Sequence, residues 1–184
     1  MKKTILIPVV LFLAMGLMSA REFWLQPLKF LFKPGEKLVI SFQEGDNFIA
    51  EPWNIKKNQI ESLVLQNLST SFSAVDSVTD SEKNRLNMTL WDVGTYLLSM
   101  QTKNAMNEWE PESFNAFLKE NGLDEILDHR KKTNSLASAA KEYYSIHTRL
   151  LVQVGEKKDD TFKKENGFPV EIVPLENPYA LKIG

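Results

Sequence analysis

Alternation of apolar and polar positions dominates the first hundred residues. Leu38, Ile40 and Phe42 alternate with Lys37, Val39, Ser41 and Gln43, the two-residue period of a half-buried strand. Phe23, Leu25, Leu28, Phe30 and Phe32 mark an earlier strand interrupted by Pro27, and Pro34-Gly35 turns the chain between the two. Gly45-Asp46-Asn47 predicts a second turn. Further strands are predicted at 60–66, 70–78 and 85–91, and Gly94 opens another with Tyr96, Leu98 and Met100 on one face. Short strands joined by short polar turns predict an antiparallel sandwich or barrel.

The period changes between Asn104 and Tyr144. Phe114, Phe117 and Leu118 stand at helical spacing behind Pro111, which suits a first helical turn, and Asn121-Gly122 stops the run. Leu123, Ile126 and Leu127 repeat the spacing behind Asp124-Glu125, acids that favour a helix N-terminus. Leu136, Ala139, Ala140, Tyr143 and Tyr144 predict a third helix, capped by Asn134 or Ser135. Strand signals resume at Ser145–Val154 and again at Phe168–Pro174. The expected architecture is therefore mainly β, with a short-helix segment inserted at about 111–144.

The chain's beginning places this domain outside the cytoplasm. Lys2 and Lys3 precede an uncharged apolar run from Ile5 to Met18, too short for a membrane-crossing helix of roughly 20 residues, and Ala20 suits the position before a cleavage. A cut after Gly16, with Ala14 two places earlier, is the alternative. Residues 1–20 thus predict a signal peptide and export, with a retained N-terminal anchor as the alternative. No transmembrane span is expected in the mature chain. Residues 21–175 form the expected β-domain, and 176–184 read as a linker, the start of a second β-domain, or a short ordered tail.

Charge and composition then narrow the function. Without Lys2 and Lys3 the balance is 20 basic to 24 acidic residues, mildly negative, with the Lys-Lys pairs interleaved among acids. Nucleic acid, which needs a clustered basic face, is not an expected partner. Zero cysteines leave stability to core packing. Metal ligands are scarce: His129 ends the second predicted helix beside Arg130, Lys131 and Lys132, and His147 opens a strand. Each is a candidate metal ligand, with an ordinary surface or half-exposed histidine as the favoured reading. Loop acids Glu156, Asp159 and Asp160, or Glu44 and Asp46, could hold a hard cation or simply face solvent. Glu108, Glu110 and Glu112 cluster at a helix start, where they complement the dipole more readily than they cleave sugars. No nucleophile elbow or phosphate-cradling loop is present, so catalysis is not expected. Of four tryptophans, Trp24 and Trp91 fall in strand patterns and are expected in the core. Trp53 and Trp109 fall in loops, as plugs of the sandwich end or as contacts for a ligand or partner.

Several of these segments together resemble one bacterial exported family, labelled a domain of unknown function, whose members are described as nickel-uptake-transporter-like periplasmic proteins. The segments are Glu22-Phe23-Trp24-Leu25-Gln26-Pro27 behind the leader, Gly94-Thr95-Tyr96-Leu97, and Glu110 through Leu118. Glu142-Tyr143-Tyr144-Ser145 and Leu151-Val152-Gln153-Val154-Gly155 complete the resemblance. It implies an immunoglobulin-like antiparallel β-sandwich, often followed by a second such domain, and a link to a divalent transition metal. Family members commonly carry His where this chain has Arg21. A terminal His binds copper or nickel through imidazole and amine together, whereas guanidinium offers donors only. The expected function is an exported, non-enzymatic binding or accessory protein with an envelope protein or transporter component as partner. An adhesion or interaction module without metal is the alternative, and a carbohydrate-binding or carbohydrate-active protein the remoter one.

Overall fold

The computed structural model describes residues 22–46, 49–79 and 85–181. The predicted leader, Arg21 and Asn47 lie outside them. The chain divides into two compact units, one running to Gln101 and resuming at His147, the other spanning Thr102–Ile146. It is mainly β, with antiparallel sheets.

In the larger unit, β1 (Glu22–Pro27) pairs antiparallel with β3 (Lys37–Asp46), Trp24 opposite Gln43 and Leu25 opposite Phe42. On its other side β3 pairs with β8 (Arg85–Thr89) and, further along, with β4 (Ile49–Pro52); β7 (Val78–Thr79) completes this sheet. A second sheet runs in the order β2 (Leu31–Phe32), β12 (His147–Val154), β9 (Gly94–Thr102), β5 (Ile60–Gln66) and β6 (Ser71–Ser73). Pro27 ends β1, and after three intervening residues the chain reaches the other sheet, where β2 lies parallel to the end of β12.

The two sheets share one core. Leu38, Ile40 and Phe42 from the first meet Leu63, Leu65, Leu98, Met100 and Val152 from the second, all at most 1% exposed. The alternation at 37–43 is therefore the core face of β3. In β9 the alternation is hidden, because residues 94–100 are buried on both faces. Tyr96, Leu98 and Met100 face the shared core, as predicted. Leu97, fully buried, lies outside that core cluster. The outer face carries the C-terminal segment instead. Asn177 Nδ2 donates to Thr95 Oγ1 (3.0 Å) and to the Asp159 carbonyl (3.1 Å), Lys164 Nζ to the Asn67 carbonyl, and Gln66 Nε2 to Asn166 Oδ1.

Gly94 shows how tightly this segment is held. Its φ is +147°, and a Cβ there would sit 2.6 Å from Asp159 Oδ2. That carboxylate cannot step aside cheaply, since Oδ2 accepts from Thr95 N–H and Oδ1 from Thr161 N–H. Gly94→Ala is expected to lower stability by about 2 kcal/mol, from strained backbone plus the displaced carboxylate. Urea unfolding checks it.

Several sequence expectations need correction. The strand expected at 70–78 is interrupted by a 3₁₀ turn at Val75–Ser77, and the one at 85–91 stops at Thr89. Trp91 consequently leaves the sheet and is 72% exposed, outside the core. Its ring lies over Gly35, where a Cβ would come within 2.8 Å of it. Phe168–Pro174 forms no strand; it crosses the sheet as irregular chain, fixed by side-chain bonds.

The smaller unit is a two-stranded ribbon carrying two helices. β10 (Ala105–Trp109) pairs antiparallel with β11 (Ala140–Tyr144), Trp109 opposite Ala140. Between them run α1 (Pro111–Glu120) and α2 (Asp124–Lys132), with Pro111 in the first turn as predicted. Both helices end in Schellman turns: Leu123 N–H reaches Leu118 O and Gly122 N–H reaches Lys119 O, and Ser135 and Asn134 do the same to Arg130 and Lys131. Asn134, at φ 53°, thus closes α2 rather than opening a third helix. That helix does not form. The carbonyls of Leu136 and Ser138, which it would need as acceptors, bond to Asn115 Nδ2 (2.8 Å) and Arg130 Nη2 (2.7 Å). Ala140–Tyr144 is left to pair with β10.

Candidate functional site

The four predicted site residues are divided between the two units, His147 and Trp53 in the larger and His129 and Trp109 in the smaller. His129 lies exposed on the last turn of α2, amid Arg130, Lys131 and Lys132, in the smaller unit. His147 is the first residue of β12 in the larger one. Trp53 follows β4, half-buried and tilted against Phe23 at 4.7 Å, packed on the core. Trp109 is not in a loop but ends β10. Its indole N–H donates to Glu142 Oε2 (2.8 Å), and its ring packs on Phe114 and Phe117 at 5.9 and 5.1 Å.

The carboxylate clusters disperse likewise. Asp159 bonds backbone N–H groups, Asp160 pairs with Lys163, and Glu156 with Lys158. Glu110 is the N-cap of α1 and Glu112 lies in its first turn, while Glu108 stands opposite Lys141 in the ribbon. Glu44 and Asp46 belong to the β3–β4 hairpin, opposite Glu51 and Ile49. Among the described residues, no three His, Asp or Glu side chains are grouped so as to hold a metal ion.

What the larger unit does build is a cleft of about 640 Å³ on the outer face of β12. The strand explains it. Leu150, Val152 and Val154 belong to the core, so His147, Arg149 and Leu151 point the other way, toward the C-terminal segment. Phe30, Phe168, Val170, Ile172 and Pro174 contribute much of the apolar wall. Val170 and Ile172 are 82% and 87% exposed, so the wall offers apolar surface to solvent.

The cleft's polar groups are mostly committed. Arg149 Nη1 pairs with Glu171 Oε2 at 2.8 Å, both side chains close to nine-tenths buried, and its guanidinium also donates to the carbonyls of Ile172 and Lys164. Glu171 in turn accepts from the N–H groups of Asn166 and Gly167. Burial alone would raise the Glu171 carboxyl, but the Asn166 hydrogen bonds, Arg149 and Gly167 together hold it below the ordinary carboxylate range. Tyr179 donates its hydroxyl to the Leu151 carbonyl, and burial pushes its phenol up to about 12. One nitrogen is left over: His147 Nε2 is buried with no hydrogen-bond partner among the described residues, its ring tilted against Phe168 at 4.7 Å.

Sequence reasoning found His147 but missed its neighbours. Arg149, directly before the apolar run Leu150-Leu151-Val152, was the available signal, because a buried cation demands an acid, and Glu171 is the one supplied.

Among the described residues no helix is long and apolar enough to cross a membrane. No curated protein and no solved structure matches the chain. A family does: residues 18–184 match the model described as a domain of unknown function, DUF4198, and the chain belongs to that family.

Proposed function

We propose that this protein is an exported, non-enzymatic binding or accessory protein of the bacterial envelope, its sheets arranged as an immunoglobulin-like sandwich. The strand neighbours β1-β3-β8-β7 and β12-β9-β5 follow the pattern of the two sheets of an immunoglobulin constant-type domain, which supports the sandwich reading. The basic, uncharged-apolar, small-residue order of positions 2–20 supports export. The observation that carries the binding role is the β12 cleft. Its volume lies in the range of small-molecule sites and its walls are largely apolar.

A link to transition-metal uptake is the second reading. It is favoured by the likeness to nickel-uptake-like proteins and by the uncommitted His147 nitrogen. A thermal melt of mature protein beginning at Arg21, across Ni²⁺, Co²⁺, Cu²⁺ and Zn²⁺, separates the two. The cleft reading expects no selective change in Tm. Metal at about 100 times its dissociation constant would add roughly 2.7 kcal/mol, several degrees for a domain of this size. Such a shift for one ion, lost in His147→Ala, would replace the first reading with metal handling.

A further inference from the structure

We infer that Asn121 is a site of spontaneous covalent modification: it deamidates in the folded protein, while Asn166, in the same local sequence, is held back by the fold. Lys-Glu-Asn-Gly occurs twice, at 119–122 and at 164–167. Glycine after asparagine leaves the attacking nitrogen unobstructed, so both copies share one intrinsic reactivity and only their surroundings differ. The reaction needs nothing but water. The Gly122 nitrogen, having lost its proton to hydroxide, attacks Asn121 Cγ. A new C–N bond closes a cyclic imide, the Cγ–Nδ2 bond breaks, and the amide nitrogen leaves as ammonia with a proton taken from water. Water then opens the ring at either carbonyl, giving aspartate or isoaspartate with no change of oxidation state.

Little opposes ring closure at Asn121. Asn121 and Gly122 are both exposed behind the last turn of α1, and Gly122, at φ +68°, has nothing within 4 Å of the position a Cβ would take. Its N–H makes a long 3.3 Å bond to the Lys119 carbonyl, and the Asn121 amide donates to Phe117 O at 2.8 Å; a fraying helix end releases both. Asn166 is the opposite case. Its Nδ2 donates to Glu171 Oε2 (3.3 Å), its Oδ1 accepts from Gln66 Nε2 (3.0 Å), and its own N–H also reaches Glu171. The attacking atom is caught as well, since Gly167 N–H donates to Glu171 Oε1 at 3.1 Å. Removing that proton would set an amide anion against a carboxylate that Arg149 and the backbone keep ionised, so motion and deprotonation are both opposed. The product at Asn121 has a structural effect. A new carboxylate there sits at the negative end of the α1 dipole, and the isoaspartyl form lengthens the main chain inside the Schellman turn that closes α1.

Ageing the intact mature protein at mildly alkaline pH, in native buffer and in guanidinium chloride, tests this. Trypsin after denaturation yields one peptide from Glu120 to Arg130 and another from Glu165 to Lys182, and mass spectrometry reads the change from amide to acid in each. In native buffer Asn121 is expected to convert about tenfold or more faster than Asn166, the margin of the additional hydrogen bonds that Asn166 must break; in denaturant the two rates should converge. Glu171→Gln should speed Asn166 and leave Asn121 unchanged, and the wild-type pair decides alone if that variant folds poorly. Amide exchange at Leu123, whose N–H reaches Leu118 O, should rise as Asn121 converts. Equal native rates at the two sites, or an intact Asn121 once the denatured sample has reacted, overturns the inference.

Discussion

Arg149→Ala is expected to destabilise the larger unit by about 3 kcal/mol, the cost of leaving one member of a mostly buried ion pair behind. More than Glu171 is affected. The carbonyls of Lys164 and Ile172 lose their donor as well, so the segment from Lys164 to Ile172 loses its attachment to β12. Hydrogen exchange should rise first at Asn166 and Gly167, whose N–H groups are held by the same carboxylate. Glu171→Gln, keeping the shape, should cost less. The pair also predicts a pH dependence. Because the folded carboxyl lies below its unfolded value, its stabilisation is complete above the ordinary carboxylate range and is lost as pH falls through the folded value. Acid titration of wild type against Glu171→Gln should show this component only in the former. Equal acid sensitivity and unchanged stability in Arg149→Ala would remove the pair from any structural role.

Trp109→Ala should unfold the smaller unit while the larger keeps its sheets. Neither α1 nor α2 is long enough to persist alone in water. What holds them is a local cluster in which Trp109 packs on Phe114 and Phe117, Arg130 lies over the Phe114 ring at 5.1 Å, and the indole bonds Glu142 across the ribbon. Truncating a half-buried Trp at such a centre costs about 3 kcal/mol, most of what a unit this small can muster. Limited trypsin digestion is the direct measurement: cuts at Lys119 and within Arg130–Lys132 should appear in the variant and not in wild type. Trp53→Ala, which removes a half-buried contact with Phe23 and the core, should leave those sites protected.

Strand positions were legible wherever one face alone is buried. The 37–43 alternation located β3, and Pro27 and Pro111 marked a strand end and a helix start. Legibility failed where a distant side chain decides the outcome. Residues 136–144 carry a helical stripe, yet Asn115 and Arg130 occupy the carbonyls that helix would use. Leu123, the N-cap of the helix that does form, and Ile126 within it are 38% and 47% exposed, so correct spacing did not entail burial. Phe168–Pro174 read as a strand because its residues suit one, but its partners are side chains, not a neighbouring strand. The cleft was half visible. His147 stood out by rarity, whereas Phe30, Phe168 and Tyr179 come together only through the return of the C-terminal segment over β12.

One hydrogen-bonded corner bears on how this protein can vary. Thr102 N–H donates to the Ile146 carbonyl at 3.0 Å and Thr102 Oγ1 accepts from Ile146 N–H at 2.9 Å, so the chain enters and leaves the intervening ribbon and helices at a single gateway. Beyond it β9 and β12 stay zipped from Gln101 and His147 onward. Closing a longer or shorter excursion between two ends already fastened changes the free energy only logarithmically. Descendants of this gene can therefore lengthen, shrink or exchange that excursion as a cassette, while the sheets and the His147 cleft are inherited unchanged.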